Sequence, residues 1–282
     1  MKNLAYLKKF YKKKLMNAGI IDYDQEVISL LSYSLKKSNI EIITENNFLV
    51  SENYLVQIDK FISKRIGGVP LSYITNERVF FNEKFYVNEN VLIPRFETEE
   101  LVKKFIDFYK DSKIKGKRLL DIGTGSGVIP IILEKKIPNL EFYALEKSSK
   151  AIEVAKKNIF THQSKINLIN DEIKNSKLDS IDFVLSNPPY IKTANLSNLP
   201  IDVKNEPSLA LDGGKNGIEV IKEIFEWESE INKNNASYIL IEIDRQIYEE
   251  TKNLTDKYYP NKKTTFIKDL NSNIRFISIT EF

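Results

Sequence analysis

Hydrophobic and polar positions change rhythm twice along this chain. Over the first 66 residues the apolar side chains recur at helical spacing. Leu4, Leu7, Tyr11 and Leu15 fall on one face of a helix that Asn17-Ala18-Gly19 would stop. Asp24 is placed to cap a second helix that buries Val27, Leu30, Leu31 and Leu35. Ser51 is placed to cap a third, with Ile58, Phe61 and Ile62 inward and Gly67 at its end. From Val79 to Leu92 the period falls to two. Val79-Phe80-Phe81 and Phe85-Tyr86-Val87 flank Asn82-Glu83-Lys84, the pattern of a β-hairpin. Glu97 to Tyr109 returns to helix, with Leu101, Phe105 and Phe108 apolar.

Strands and helices then alternate. Strands are predicted at 118–122, 141–145, 166–170, 182–186 and 238–243. Helices are predicted after Gly127, over Ser149 to Phe160, and over about Gly217 to Lys233. Thr265-Phe266-Ile267 and the run Ile274 to Ile279 predict a closing hairpin, its last strand apolar on both faces. This order predicts an α/β fold, a mostly parallel sheet covered on both sides, behind a small helical domain.

Composition removes several chemistries. The 282 residues are 42% hydrophobic and 29% charged, ordinary for a globular chain, and contain no cysteine. Disulfides, thiolate metal sites and cysteine nucleophiles are therefore excluded. His162 is the one histidine, so a zinc site built on several histidines is impossible and no metal is expected. Its position reads as a surface residue near a helix end. No apolar run reaches the roughly 18 residues of a membrane span. Met1-Lys2-Asn3-Leu4 does not open a signal peptide, so a cytoplasmic protein is expected. The net charge of +3 is too small to indicate nucleic-acid binding. The basic cluster Lys8-Lys9-Phe10-Tyr11-Lys12-Lys13-Lys14 reads as a solvated helix face.

Two motifs carry the candidate chemistry. Asp121-Ile122-Gly123-Thr124-Gly125-Ser126-Gly127 links a strand to a helix, where glycines let the backbone turn tightly and approach a ligand. Val128 breaks the dinucleotide fingerprint, and no Gly-Lys-Ser/Thr follows to make a phosphate loop. The acid at Asp121 suits a ligand with a positive centre, such as S-adenosylmethionine. Glu146 ends the next strand, 19 residues after Gly127, where a carboxylate can accept from ribose hydroxyls. A plain glycine turn is the alternative; Glu146 in register favours the cofactor.

Ser186-Asn187-Pro188-Pro189-Tyr190 ends another apolar strand, because two prolines cannot continue the ladder. The Asn187 side-chain oxygen and the Pro188 carbonyl are both acceptors. Together they can grip the two hydrogens of one planar NH₂ group while Tyr190 stacks on the group that carries it. Such a grip raises electron density on a delocalised nitrogen as it attacks a methyl group, and no strong base is required. A turn that merely stops the strand is the alternative.

Taken together, these stretches resemble class I S-adenosylmethionine-dependent amino-methyltransferases. Gly68-Val69-Pro70-Leu71-Ser72-Tyr73-Ile74, Val91-Leu92-Ile93-Pro94-Arg95-Phe96-Glu97-Thr98-Glu99 and Glu206-Pro207-Ser208-Leu209-Ala210-Leu211-Asp212-Gly213-Gly214 are similar to the HemK-type glutamine-N5 methyltransferases of peptide chain release factors. The resemblance runs from about residue 60 to the end. It implies a seven-stranded Rossmann-like sheet and a division into three parts: a helical substrate-docking domain at 1–75, a β-hairpin connection at 76–96 and a methyltransferase domain at 97–282. It implies methylation of the glutamine in the Gly-Gly-Gln motif of class 1 release factors, with S-adenosylmethionine as cofactor. Cofactor contacts would fall on Asp121, Gly123, Thr124, Gly125, Ser126, Gly127, Glu146, Asp171, Glu172 and Asn187. Substrate contacts would fall on Asn187, Pro188, Pro189 and Tyr190, with Asn187, Pro188 and Tyr190 catalytic. Phe96 stands where the family usually has proline, and Glu146 where aspartate is commoner. A monomer with no membrane and no stable nucleic-acid partner is expected.

Glu97, Thr98 and Glu99 read equally as neighbours of the site or as a capped helix start. Glu206 to Gly214 would close over substrate or simply cross the surface. The rival function is an adenine-N6 methyltransferase of DNA or RNA, which would use the same grip but should carry a strong basic groove. Cytosine-C5 methylation in its usual form is excluded by the missing cysteine.

Overall fold

The computed structural model describes residues 1–112, 116–178, 180–231, 236 and 238–281. The chain forms two compact units, Met1–Glu77 with Pro200–Asn205, and Arg78–Leu199 with the chain from Glu206 on.

In the first unit a two-residue strand, β1 (Lys2–Asn3), leads into α1 (Leu4–Asn17). The Asn3 side chain caps α1 by accepting from the Tyr6 N–H, and Leu4, Leu7, Tyr11 and Leu15 are buried as their spacing predicts. The next helix, α2 (Tyr23–Leu35), starts earlier than expected. Asp22 takes the position before the first turn, and Asp24 lies inside that turn, paired with Lys12 at 2.6 Å. An acid in the first turn serves the helix dipole as well as a cap would, which is why the two are hard to tell apart in sequence. The short α3 (Asn39–Thr44) escapes the periodic reading because only Ile42 is buried. A capping box between Ser38 and Glu41 starts it, and the Lys8 ammonium ties its end by donating to the Ile42 and Ile43 carbonyls at 2.9 Å each.

Strand β2 (Leu49–Val50) pairs antiparallel with β1 and leads to α4 (Glu52–Ile66), followed by α5 (Leu71–Thr75). Ile58 and Ile62 are buried and Phe61 packs at the edge of the same core. Ser51 does stand before α4, but its side chain makes no capping bond. The Arg65 guanidinium crosses to Glu26 on α2 with two bonds, 2.6 and 3.1 Å, both side chains nearly buried. A fork of this geometry fixes the relative rotation of two helices in a way that apolar contacts alone do not.

A hairpin follows, β3 (Glu77–Phe80) and β4 (Glu83–Tyr86), which belongs to the second unit from Arg78 on. Phe81, read from sequence as strand, sits in the turn: Phe81 and Asn82 have φ of 51° and 60°. Positive φ at both central residues makes the tight turn whose twist matches a hairpin. Helix α6 (Phe96–Asp111) follows, and then strands and helices alternate: β5 (Arg118–Ile122), α7 (Val128–Lys136), β6 (Glu141–Glu146), α8 (Ser149–Thr161), β7 (Ile166–Asn170), β8 (Phe183–Ser186), α9 (Glu219–Ile231), β9 (Tyr238–Glu242), α10 (Tyr248–Tyr258), β10 (Lys263–Lys268) and β11 (Ile274–Thr280), of which α10 was not predicted from the sequence. The expected end of α9 at Lys233, and the chain's last residue Phe282, lie outside the described residues.

The seven strands β5 to β11 form one sheet in the order β10-β11-β9-β8-β5-β6-β7. The strands from β9 to β7 run parallel, and β11 is antiparallel to both β9 and β10. Successive residues of the central strands enter opposite cores. Leu119, Phe142, Phe183, Leu185, Leu240 and Phe276 pack with α6 and α7 on one face. Leu120, Leu145, Val184, Ile239, Ile241 and Ile277 pack with α9 on the other. This double burial explains why these strands read as continuous apolar runs. Among the described residues no helix is long and apolar enough to cross a membrane.

Phe183 is fully buried at the centre of one face, with its ring 5.3 Å from that of Phe105 and 5.7 Å from that of Tyr109. Phe183→Ala is expected to destabilise the protein by about 3–5 kcal/mol, measured by denaturant unfolding.

Candidate active site

Strand order reverses at β5: β6 and β7 extend to one side of it, β8 and β9 to the other. In an open α/β sheet the crevice beyond the carboxyl ends of the strands at such a point is where ligands bind. A cleft of about 440 Å³ opens there. Its wall includes Gly123, Thr124, Gly125, Ser126, Glu146, Asp171, Glu172, Asn187, Pro188 and Pro189. Four separate strand ends thus bring most of the sequence-predicted site residues to one place.

The glycine loop turns with positive φ at Gly123, Gly125 and Gly127. The N–H groups of Gly123 and Thr124 donate to the Leu145 carbonyl at 2.8 and 3.1 Å, tying the loop to the end of β6. A Cβ on Gly123 would meet nothing within 4 Å, so the loop's ligand-facing side is open. Glu146 is held from below. Its Oε2 accepts from the Gly125 N–H at 3.0 Å and its Oε1 from the Ser148 N–H at 2.9 Å. Each oxygen keeps a second lone pair for a ligand hydroxyl.

Asp121 does not reach the cleft wall. It is fully buried at the base of the loop, and neither carboxylate oxygen has a hydrogen-bond partner among the described residues. Burial pushes its pKa up to about 7; nearby Glu146 adds to the rise and the Thr124 hydroxyl opposes it. Buried polar groups nearly always have a partner, so this acid stands out.

Asp171 and Glu172 line the far side, with the buried Ile173 beside them. Glu172 turns its carboxylate to Lys174 at 2.7 Å. The aliphatic floor of Ile122, Ile129 and Leu145 went unremarked in the sequence, since these residues read simply as core.

At the tip of β8, the Asn187 Nδ2 donates to the Thr98 hydroxyl at 2.9 Å. That hydroxyl donates to Glu242 Oε2 at 2.9 Å. No donor among the described residues is bonded to the Asn187 Oδ1, and Asn187 lines the cleft. Tyr190, half-buried, does not line the cleft itself. Its ring packs against the core beside β8 and β9, and its hydroxyl reaches Glu242 Oε1 at 3.5 Å. The apolar ring gains more from that burial than from an exposed rim position. Burial raises the pKa of Glu242 to about 7, opposed by the Thr98 hydroxyl and Arg275. Glu242 was missed in the sequence, although an acid at the end of the apolar run Tyr238-Ile239-Leu240-Ile241 was its visible signal.

Of the three residues Glu97, Thr98 and Glu99, Thr98 lines the cleft, while Glu99 accepts from the Phe81 N–H at 3.1 Å. The segment from Glu206 does more than cross the surface. Glu206 is buried, pairs with Arg95 and accepts from the Ile93 N–H at 3.0 Å, and Pro207 to Ala210 line the cleft. Gly213 then packs on the corner itself: a Cβ there would come within 2.7 Å of the Pro189 carbonyl and the Tyr190 Cα. His162 lines no part of the cleft. Its ring is almost covered, stacked on Phe85 at 4.4 Å, and is not the surface group its position suggested.

Comparison with known proteins decides the family. A model described as the Methyltransferase small domain matches residues 73–200, and one described as the PrmC N-terminal domain matches residues 7–75. A release factor glutamine methyltransferase of Flavobacterium psychrophilum is 32% identical over 281 residues, covering 96% of this chain and 98% of that one. The chain belongs to the release factor glutamine methyltransferase family. Another member, from Thermodesulfovibrio yellowstonii, is 35% identical over 222 residues, 78% of this chain and 79% of its own length. Among solved structures, the hMettl16 catalytic domain in complex with MAT2A 3'UTR hairpin 6 superposes with a TM-score of 0.54 at 14% identity, covering 79% of this chain and 92% of that one. That likeness is one of fold.

The methyl donor of such an enzyme is S-adenosylmethionine, and the cleft fits it. The glycine loop is open to close approach of a ligand, and Glu146 keeps lone pairs free on the cleft wall. The folded-state pKa of Asp121, about 7, lies above its ordinary 3.8, so the ligand-free fold takes up a proton here. The stability this group contributes is present at low pH and lost as pH rises from about 4 to about 7. Asp121→Asn should remove that loss. Thermal unfolding of the ligand-free variant is expected to exceed wild type above neutral pH, while its affinity for S-adenosylmethionine falls.

Proposed function

We propose that the chain transfers the methyl group of S-adenosylmethionine to the side-chain amide nitrogen, N5, of the glutamine in the Gly-Gly-Gln motif of class 1 peptide chain release factors. The observation that carries this reading is the orientation of Asn187: its NH₂ is spent on Thr98, and its Oδ1 is left unbonded on the cleft wall beside Pro188.

Bound S-adenosylmethionine supplies a methyl group made electrophilic by its sulfonium. The protein's part is to hold and polarise the acceptor. Asn187 Oδ1 and the Pro188 carbonyl take the two hydrogens of the glutamine amide, fix it in line with the methyl and stabilise the positive charge that grows on nitrogen. No side chain need remove a proton before transfer: as the N–C bond forms and the sulfur keeps the pair of the broken S–C bond as a neutral thioether, the methylated nitrogen releases one of its two hydrogens as a proton to solvent. On the cofactor side, Gly123 to Gly127 cradle the donor, Glu146 takes the ribose, Asp171 and Glu172 stand at the base, and Asp121 balances positive charge. Pro189 walls the acceptor side. Tyr190 acts from behind, keeping the corner rigid.

The same reading gives residues 1–75 the docking of the release factor, 76–96 the connection and 97–282 the transfer. It has the chain act as a monomer without a stable nucleic-acid partner, in the cytoplasm, where release factors work. An adenine amine on DNA would suit the same two acceptors, but the net charge of +3 supplies little attraction for a polyanion.

The test is incubation with methyl-labelled S-adenosylmethionine and either an unmodified class 1 release factor or unmethylated DNA. Peptide mass spectrometry then locates the methyl. Label is expected on the Gly-Gly-Gln glutamine and not in DNA. Asn187→Ala is expected to lose at least about 100-fold in transfer while keeping the fold; full activity of that variant would sink the mechanism.

A further inference from the structure

Asparagine presents two ends of nearly equal shape and opposite polarity. Only one of them is useful to an attacking amide. With Oδ1 toward the substrate, Asn187 accepts a hydrogen from the glutamine NH₂. Turned by half a rotation, it would point its own N–H at that NH₂, and two donors would face each other. Something must hold the side chain one way round.

We infer that Thr98 and Glu242 are the positioning residues that set this direction, locking the Asn187 NH₂ inward so that Oδ1 faces the substrate. The inference rests on the methyl transfer proposed above. A threonine hydroxyl has one proton and two lone pairs. Here the proton goes to Glu242 Oε2 at 2.9 Å. Only lone pairs remain for Asn187, which must therefore approach with its NH₂, and does so at 2.9 Å. With its carboxylate ionised Glu242 can only accept, and the direction of the whole chain then follows from the Thr98 hydroxyl donating to it.

The elements are arranged to make this hold. Thr98 lies in the first turn of α6 and is 3% exposed; Glu242 ends β9 and is 1% exposed. Strand β9 is the direct neighbour of β8, and Ser186 pairs with Ile241, so Glu242 stands next to Asn187 across the sheet edge. The other oxygen of Glu242 takes the Tyr190 hydroxyl at 3.5 Å. One carboxylate thus reaches both ends of the Asn187 to Tyr190 corner. Its position is expensive for folding: Leu240, which shares its face of β9, is fully buried, and a leucine would pack there without desolvating a charge. A costly acid beside a cleft, bonded to the residue that lines it, is matched to function rather than to stability.

The experiment compares wild type, Thr98→Val, Thr98→Ser and the double variant Thr98→Val/Glu242→Leu. Valine keeps the shape and removes the hydroxyl, and serine restores the hydroxyl. The double variant replaces both polar partners by apolar groups, so no carboxylate is left buried alone if Thr98→Val itself folds poorly. Each is assayed for kcat and for KM with an unmodified release factor, and for S-adenosylmethionine affinity by calorimetry. The acceptor is a single side chain of the release factor, so a misdirected amide should lower kcat and leave binding alone. The expected result is a kcat reduced about 10- to 100-fold in Thr98→Val and in the double variant. Both KM and cofactor affinity should stay within about threefold, with Thr98→Ser close to wild type. Retained kcat in a folded Thr98→Val or double variant, or a serine variant as impaired as valine, overturns the inference. So does a loss confined to KM. Wild type that methylates no release factor would instead overturn the proposed function, so the two failures are distinct.

Discussion

The site depends on one ladder of hydrogen bonds, that between β5 and β8. Leu119 pairs with Phe183, Leu120 with Val184, Asp121 with Leu185 and Ile122 with Ser186. The Ser186 hydroxyl adds a bond to the Ile122 carbonyl at 2.8 Å. Because of this register the glycine loop and the Asn187 corner leave the sheet at the same height and face the same crevice. The register is set by packing. Shifting β8 by one residue would exchange Phe183 and Leu185 with Val184 and bring every side chain to the wrong core. The geometry of the chemistry is thus held by residues that never touch it.

Against that apolar frame the two raised carboxylates stand out. Asp121 and Glu242 are both near the ends of central strands, and burial is the first cause of the shift in each. They differ in what surrounds them. Asp121 has no hydrogen-bond partner among the described residues. Glu242 is already bonded to Thr98 and Tyr190. The first arrangement suits a residue that recognises a charge, the second a residue that orders its neighbours. Both keep acids where a hydrophobic side chain would favour folding more.

Much of this was readable in the sequence, because a strand buried on both faces leaves an unbroken apolar run. The runs ending at Ile122, Leu145 and Ser186 named the three strand tips, and the glycines, Glu146 and the proline pair that follow them named the cleft. What escaped was whatever local pattern cannot express. Thr98 is indistinguishable from a helix-start residue until the fold brings it within 2.9 Å of Asn187, a residue 89 positions away. The bond of the Tyr190 hydroxyl to Glu242, 52 positions away, is likewise invisible in local pattern. The helix α3 has one buried residue and therefore almost no period to detect. His162 was misjudged for the same reason, since its cover comes from Phe85 on a separate hairpin.

The strand order also governs how the molecule can be built on the ribosome. The strands β5, β6 and β7 are contiguous in sequence and adjacent in the sheet, so this half can assemble as soon as it emerges. Its inner edge, β5, is the apolar strand destined for the middle of the sheet, and it has no neighbour on that side until Phe183 to Ser186 have been synthesised. Through that interval an unpaired hydrophobic edge is open to any other extended chain. The nascent protein is most exposed to misassociation just before its two ligand-bearing strand tips meet.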